Sequence, residues 1–448
     1  MKMIRTFFPI GQGVFCKETF YDEDDKFTFI YDCGTLTPDT KKRLEKCIHG
    51  AFEEKEVIEA VFLSHLDADH FNGLPELLKH CQVKKIFFPL LSDDEKLLLK
   101  AKLLFDNVVK TDFVFYYQFI DNPKTAIKQI LRDNMQMPKL YEVKEVSNDN
   151  DNSRPSNDFP VMDSPSPLDT EKPTDIQTRD FYNHNLETAF FEFDKYRKTK
   201  LRLYDKGNVG KVFLSWKYYL FNIPQQPTIF EDFKANLEAE QLDIETVRKF
   251  TEKYYSRKIT DSNATLTKIK KAYQNLKESA GEKFNLNEHS LVVYSGPNEK
   301  DLYQRFVPVN NEIRYINLNE NSDKIMTISN EAPDNSLKLP AGCLFMGDYN
   351  LRKNASPLLA FIQQDIPKIG CIQMPHHGSI HSWSSALLTA PNLNKDCFLV
   401  AEAGANSRFG HPCSAVLESI ILHRGSLDHF FWVSEDRWTQ IFFIIDNL

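Results

Sequence analysis

Ala60-Val61-Phe62-Leu63-Ser64-His65-Leu66-Asp67-Ala68-Asp69-His70 is the stretch on which the reading of this 448-residue chain turns. Its first five residues are a short apolar run and predict a strand. The next six place four metal-competent side chains, His65, Asp67, Asp69 and His70, at the end of that strand. A strand that runs out into a loop can aim alternate side chains into one cleft, His65 and Asp67 toward one ion, Asp69 and His70 toward a second. Carboxylates supply hard oxygens and imidazoles supply nitrogens, and a two-ion cleft needs both. The competing reading is a polar loop that holds His and Asp by chance. The density of ligand types directly after a strand counts against it.

The flanks fit an alternating pattern. Upstream, residues 3–8 are apolar-rich and stop at the turn signal Gly11-Gln12-Gly13. Residues 27–31 are β-prone and end at Asp32-Cys33-Gly34, and residues 39–53 predict a helix. Downstream, Gly73 precedes an amphipathic helix over 74–80, a strand over 85–89 and a helix over 93–105. Strands alternating with helices predict an α/β layered fold. The rhythm returns late in the chain, with strands at 290–295, 344–346, 371–374 and 398–401, helices at 356–364 and 414–422, and strands at 430–433 and 441–445. Asp32, Gly347-Asp348, Pro375-His376-His377-Gly378-Ser379 and Gly410-His411-Pro412 each follow or end one of these strands. In layered α/β proteins functional residues gather at the same ends of several strands.

The middle differs. Residues 146–180 are rich in Ser, Asn, Asp and Pro, too poor in apolar side chains to order themselves, and predict a mobile acidic loop. A basic run over 195–211 follows, with Lys195, Arg197, Lys198, Lys200, Arg202, Lys206 and Lys211 interleaved with Tyr196 and Tyr204. Val212, Leu214, Trp216, Tyr218 and Leu220 alternate as a strand would, and residues 229–280 carry apolar side chains at helical spacing.

The net charge of −8 argues against a protein that grips long DNA over its whole surface, because phosphate binding draws on concentrated positive charge. Any such groove must be local. The eight cysteines are scattered with no C-x-x-C pair, which points away from a disulfide framework or a Cys-rich zinc site and toward a reducing cytoplasm. No stretch approaches the ~18 uninterrupted apolar residues of a membrane span.

Gly11-Gln12-Gly13, Asp32-Cys33-Gly34, the Ser64–His70 stretch, Gly347-Asp348, His376-His377-Gly378-Ser379 and Gly410-His411-Pro412 occur in the order found in metallo-β-lactamase-fold proteins. The chain most resembles the ComEC-type branch, the hydrolase domain of bacterial DNA-uptake channels, without the channel. The resemblance implies an αββα four-layer sandwich whose two halves, 1–92 and 285–448, are separated by an insertion at 93–284. It implies that His65 and Asp67 hold a first metal, Asp69 and His70 a second, and that Asp348 bridges them. One of His376 and His377 completes the second site, with His377, directly before the Gly, the better match. The usual family motif has His where Asp67 stands; the ComEC-type branch has Asp there. The family's remaining His has no clean counterpart: Asn287-Glu288-His289-Ser290 occupies that place, so His289, Asn287 or water would fill the role, and Asp32 is a further candidate ligand.

The resemblance also implies nuclease activity through a two-metal-activated hydroxide, with Mn2+ or Zn2+ as cofactor and Mg2+ as a third option. Asp69 would orient the hydroxide. His411 would touch a phosphate or protonate the leaving oxygen, or else cap the helix that begins near Ser414. Ser379, Lys198 and Arg202 would contact substrate; the basic run reads equally as a solvated face balancing the acidic loop. Two other functions fit the same residues: hydrolysis of a small nucleotide or ester in a pocket lidded by the insertion, or an effector whose insertion docks a partner protein.

Overall fold

The apolar run at 60–64 forms a strand at the heart of a mixed α/β structure. A computed structural model describes residues 2–22, 25–36, 38–105, 110–143, 189–193, 198–204, 212–223, 227–255, 263–281, 290–297, 304–307, 339–405, 407–435 and 439–445. In chain order the elements are β1 (Lys2–Phe7), β2 (Phe15–Asp22), β3 (Asp25–Cys33), α1 (Pro38–Ala51), β4 (Val57–Ile58), β5 (Ala60–Phe62), α2 (Ala68–Phe71), α3 (Leu74–His80), β6 (Gln82–Val83), β7 (Lys85–Pro89), α4 (Asp93–Phe105), α5 (Lys110–Asp121), α6 (Pro123–Ile130) and β8 (Lys139–Val143). Then come β9 (Ala189–Phe193), β10 (Lys198–Tyr204), β11 (Val212–Phe221), α7 (Pro227–Ala239), α8 (Ile244–Tyr255), α9 (Ala264–Ala280), β12 (Val292–Pro297), β13 (Gln304–Val307), β14 (Gly342–Phe345), α10 (Leu351–Phe361), β15 (Ile369–Gln373), β16 (Phe398–Glu402), α11 (Ser414–Arg424), β17 (Phe430–Val433) and β18 (Thr439–Ile445). Residues 146–180 lie outside the described residues, as do Asn287 and His289.

Among the described residues, two eight-stranded sheets carry all of these strands but β4 and β6, ordered β13-β18-β1-β2-β3-β5-β7-β8 and β17-β16-β15-β14-β12-β11-β10-β9, and β4 and β6 pair in a small two-stranded sheet. Strands β3, β5, β7 and β8 run parallel in the first sheet, and β14, β15, β16 and β17 in the second. Side chains alternate across a strand, and the burial follows. Phe29 and Tyr31 of β3, Phe62 of β5, Trp216, Tyr218 and Leu220 of β11, Phe345 of β14 and Val400 of β16 share one apolar cluster between the sheets. Phe62 stacks on Tyr218 at 5.0 Å, and the Tyr31 hydroxyl donates to the Leu291 carbonyl at 3.0 Å. The opposite face of the first sheet, with Ile30 and Val61, packs with apolar residues of α1 and α3 through α9. The opposite face of the second, with Leu344, Ile372 and Leu399, packs with α10 and α11. The middle of the chain threads both sheets: β8 pairs with β7, and β11 pairs with β12.

Three expectations changed at this level. Residues 68–71 form the helical turn α2 rather than a loop. Residues 229–280 split into α7, α8 and α9. The helix expected over 356–364 begins instead at Leu351, where the Asn350 side chain accepts from Lys353 N at 3.1 Å. Ser356-Pro357 resembles a helix start, since Pro suits a first turn, but Pro357 lies inside α10, after a bend at Asn354. Among the described residues, no helix is long and apolar enough to cross a membrane.

Candidate metal centre

Every predicted ligand that the structure describes lies at or after the C-terminal end of a parallel strand. Asp32 is the penultimate residue of β3, Ser64-His65 follows β5, Asp348 follows β14, and His376 and His377 follow β15; Glu402, not among the predicted ligands, ends β16. Both sheets therefore contribute to one cleft, the arrangement expected of ligand sites in parallel α/β sheets.

Asp348 stands at the middle of it. Its Oδ2 lies 3.8 Å from His65 Nε2 and 3.6 Å from His376 Nε2, while its Oδ1 lies 3.2 Å from His70 Nε2 and 3.8 Å from His377 Nε2. Asp69 Oδ2 is 3.3 Å from His377 Nε2, and Asp67 Oδ2 is 3.8 Å from His65 Nε2. Among the described residues, three sets have ligand atoms that converge closely enough to hold an ion: His65, His70 and Asp348; Asp69, His70 and His377; His65, Asp67 and Asp69. Buried polar atoms are normally hydrogen-bonded, yet His65 Nε2 and His70 Nε2 are buried without a hydrogen bond among the described residues. Imidazole nitrogens and carboxylate oxygens facing one another in this way fit a divalent ion.

The rear of each ring is fixed. Asp32 Oδ2 is 2.7 Å from His70 Nδ1 and accepts from Ser64 Oγ at 2.6 Å, while its Oδ1 accepts from Ser64 N at 2.6 Å. Both oxygens of Asp32, the further candidate ligand, are thus engaged by Ser64 and by the rear nitrogen of His70. Ser290 Oγ lies 3.2 Å from His65 Nδ1 and accepts from Asp348 N at 3.0 Å. His377 Nδ1 donates to the Glu402 carbonyl at 2.6 Å, and His376 Nδ1 is 3.2 Å from Ser382 Oγ. Ligating histidines are commonly held by such a bond on the other ring nitrogen.

Electrostatics separate the rings. Burial, with the neighbouring His70 charge, pushes His65 well below the usual imidazole range and leaves its lone pair available. Burial would lower His70 too, but the carboxylates of Asp348, Asp32 and Asp69 outweigh it and hold His70 well above the ordinary value. Asp348 is held well below the carboxylate range: burial opposes this, and His376, His70 and His65 override it.

Tight backbone positions the motif. A Cβ on Gly34 would lie 2.4 Å from the nitrogens of His70 and Phe71, and one on Gly13 would lie 2.9 Å from the Asp69 carbonyl. The turn Pro375–Gly378 places His376 (φ 48°), His377 (φ 57°) and Gly378 (φ 83°) consecutively in the left-handed region. It is tied down by His376 N donating to the Gly347 carbonyl at 2.7 Å and Cys413 N to the Gly378 carbonyl at 3.0 Å.

Other expected residues fall at varied distances from the chemistry. His411 reaches the mouth, its ring 5.7 Å from that of His376 and 6.1 Å from exposed Phe409, which stacks on it. Burial and the nearby His377 lower His411 to about 4, so it rests neutral at pH 7. Ser379, expected at the substrate, is buried and accepts from His381 N at 3.3 Å. Lys198 and Arg202 lie on β10, with β11 and β12 between it and β14; their side chains lie outside the described residues.

Two groups had no signal in the sequence. Glu402, the last residue of β16, is buried, accepts from Phe15 N at 3.2 Å, and is pushed by burial up to about 8. Lys102 of α4 pairs with Asp67 Oδ2.

Residues 19–96 match the family model of the metallo-beta-lactamase superfamily, whose members are generally metal-dependent hydrolases. That segment runs from β2 into α4 and carries His65, Asp67, Asp69 and His70. No curated protein matches the chain.

Asp32→Asn tests the orienting bond. Asn tolerates the left-handed conformation that Asp32 adopts at φ 53°, so the backbone should hold. The amide cannot balance His70 as the carboxylate does, and Mn2+ or Zn2+ affinity should fall by the ~10–100-fold usual for such partners. Unchanged affinity in a metal titration would remove Asp32 from this role.

Proposed function

We propose that the chain is a metal-dependent hydrolase whose reaction is phosphodiester cleavage, with nucleic acid or a nucleotide as substrate, and that its fold is the αββα sandwich of the ComEC-type branch. The observation that carries the reading is Asp348: each of its carboxylate oxygens faces a different pair of histidines. That arrangement suits a carboxylate shared between two positions. In the proposal His65 and Asp67 hold one divalent ion, Asp69, His70 and His377 the other, and His376 stands beside the first. The division into 1–92, 93–284 and 285–448 is retained, with the middle part lending strands to both sheets.

When bound, two divalent ions supply an activated hydroxide and stabilise charge on the attacking and leaving oxygens. The carboxylate of Asp67 in place of a histidine favours Mn2+ or Mg2+, with Zn2+ still accepted. Asp69, which His70 and His377 hold below the usual carboxylate range against the opposing effect of burial, is ionised at neutral pH and can accept a proton from water. His411 is neutral at the mouth and can hydrogen-bond a phosphate oxygen; a bound anion would raise its proton affinity and prepare it to protonate the leaving oxygen. Phe409 and the Arg408 guanidinium, 4.8 Å above its ring, present an aromatic and cationic ledge beside His411. Such a ledge suits a base next to its phosphate, whether in a polymer or in a small nucleotide.

The test combines metal analysis with cleavage of labelled single- and double-stranded DNA and RNA. Cleavage that requires Mn2+, is lost with chelator and weakens steeply with salt supports a nuclease. Metal-loaded protein that leaves every polymer intact but hydrolyses a small phosphodiester supports the small-nucleotide reading. Metal-loaded protein inert on both refutes the phosphodiesterase assignment.

A further inference from the structure

Lys102 reaches the cleft from a helix, and neither the motif nor the strand ends foretold it. It lies on α4, beyond the segment matched by the family. The helix is fixed by its other side, where Leu97, Leu98, Ala101, Leu103 and Leu104 are buried in the cluster beneath the first sheet. The Lys102 ammonium is thus presented from a packed element rather than a loose loop, and it meets Asp67 Oδ2.

Asp67 is itself unusual. It is the N-cap residue of α2, with extended backbone at φ −82° and ψ 156°, yet its side chain makes no capping hydrogen bond. An Asp at this position ordinarily accepts from the first-turn amides. Here the carboxylate serves the cleft instead, between Lys102 and His65 Nε2 at 3.8 Å.

We propose that Lys102 divides the cluster into a strong and a weak metal position: its ammonium is the resident cation at Asp67, and a second divalent ion enters only by displacing it. This rests on the metal-dependent reading above. An ion on Asp67 Oδ2 at ~2.1 Å would lie within a few ångströms of the ammonium, and like charges that close repel strongly in a partly buried cleft. At the position built on Asp69, His70 and His377, the partners of the carboxylates are histidines, and no lysine ammonium is among the described contacts. Lys102 can leave without moving α4, because its side chain is 20% exposed and a change of rotamer takes the ammonium toward solvent. An anionic substrate offers it a new partner, so the Asp67 position fills most readily when substrate is present. The lysine then makes the second ion conditional.

Metal binding, not turnover, reads this out. Chelator-stripped protein is titrated with Mn2+, and bound metal is measured by equilibrium dialysis with elemental analysis. Wild type should hold one ion tightly and a second more weakly. Lys102→Met keeps the stem and removes the charge, and should tighten the second ion by on the order of tenfold or more, given the charges and distance involved. Lys102→Arg keeps the charge and should leave the second ion weak. Lys102→Gln provides a second neutral variant should the methionine disturb the helix, and thermal melting checks each preparation. A second-ion affinity that is the same in wild type and both neutral variants overturns the proposal while leaving the hydrolase reading intact. Wild type and neutral variants that bind no Mn2+ or Zn2+ at all overturn the hydrolase reading, and this proposal with it.

Discussion

Asp348→Ala is expected to abolish hydrolysis and strip the centre of metal while leaving the fold in place. The loss should far exceed the ~10–100-fold that follows from disturbing a residue behind a ligand, because this one side chain faces His65, His70, His376 and His377 together. Truncation also removes the charge that does most to hold a proton on His70. The backbone around it has other anchors. Met346 N and Gly347 N donate to Gln373 Oε1 at 2.8 and 2.9 Å, and Asp348 N donates to Ser290 Oγ at 3.0 Å, none of which needs the carboxylate. Activity, metal content and melting temperature measured on one preparation separate the outcomes. Near-wild-type turnover with metal retained would end the shared-carboxylate reading. A collapsed melt would make Asp348 structural.

Gly34→Ala should do comparable damage without touching a ligand. The added methyl would meet the backbone of His70 and Phe71 at 2.4–2.5 Å, and backbone cannot rotate aside as a side chain can. The strand end and α2 are pinned together nearby, by Val14 N to the Asp69 carbonyl at 2.9 Å, Gly34 N to the Val14 carbonyl at 3.0 Å and Gly73 N to the Cys33 carbonyl at 2.7 Å. Restoring ordinary contact would shift α2 by roughly an ångström, against a tolerance of ~0.2 Å for metal–ligand distances. We expect a stability loss at or above the upper end of the ~1–3 kcal/mol typical of overpacking, together with weakened Mn2+ binding. Denaturant unfolding and a metal titration check both. A Gly34→Ala protein that unfolds and binds metal like wild type would show that the close approach is not required.

These two residues illustrate what the sequence discloses. The elements around the motif were legible because apolar runs there end in strong punctuation: α3, β7 and α4 fall where the pattern puts them, and β5 covers 60–62 of the expected 60–64. The convergence of His65, Asp69, His70, Asp348 and His377 just after strands was legible for the same reason. Partnerships between distant segments were not. Arg5 and Glu18 look like surface charges, yet they are cross-strand neighbours buried between the sheets, with Tyr218 and Ser295 also donating to Glu18. Lys102 reads as one more lysine on an amphipathic helix until α4 is packed against the cleft. Ser290 lies beside His65 Nδ1 together with Ser64, a role its place in the chain does not announce.

The left-handed pair His376 and His377 has a wider consequence. A residue with a Cβ pays roughly 1–2 kcal/mol for that backbone region, and glycine almost nothing. Selection for thermal robustness alone would therefore drift both positions toward glycine or asparagine and, under the proposed function, would silence the protein as it hardened it. Engineering for heat tolerance should leave this turn untouched. For the same reason, the left-handed backbone of His376 and His377 sets them apart more sharply than burial does, since burial is shared with the whole apolar interior.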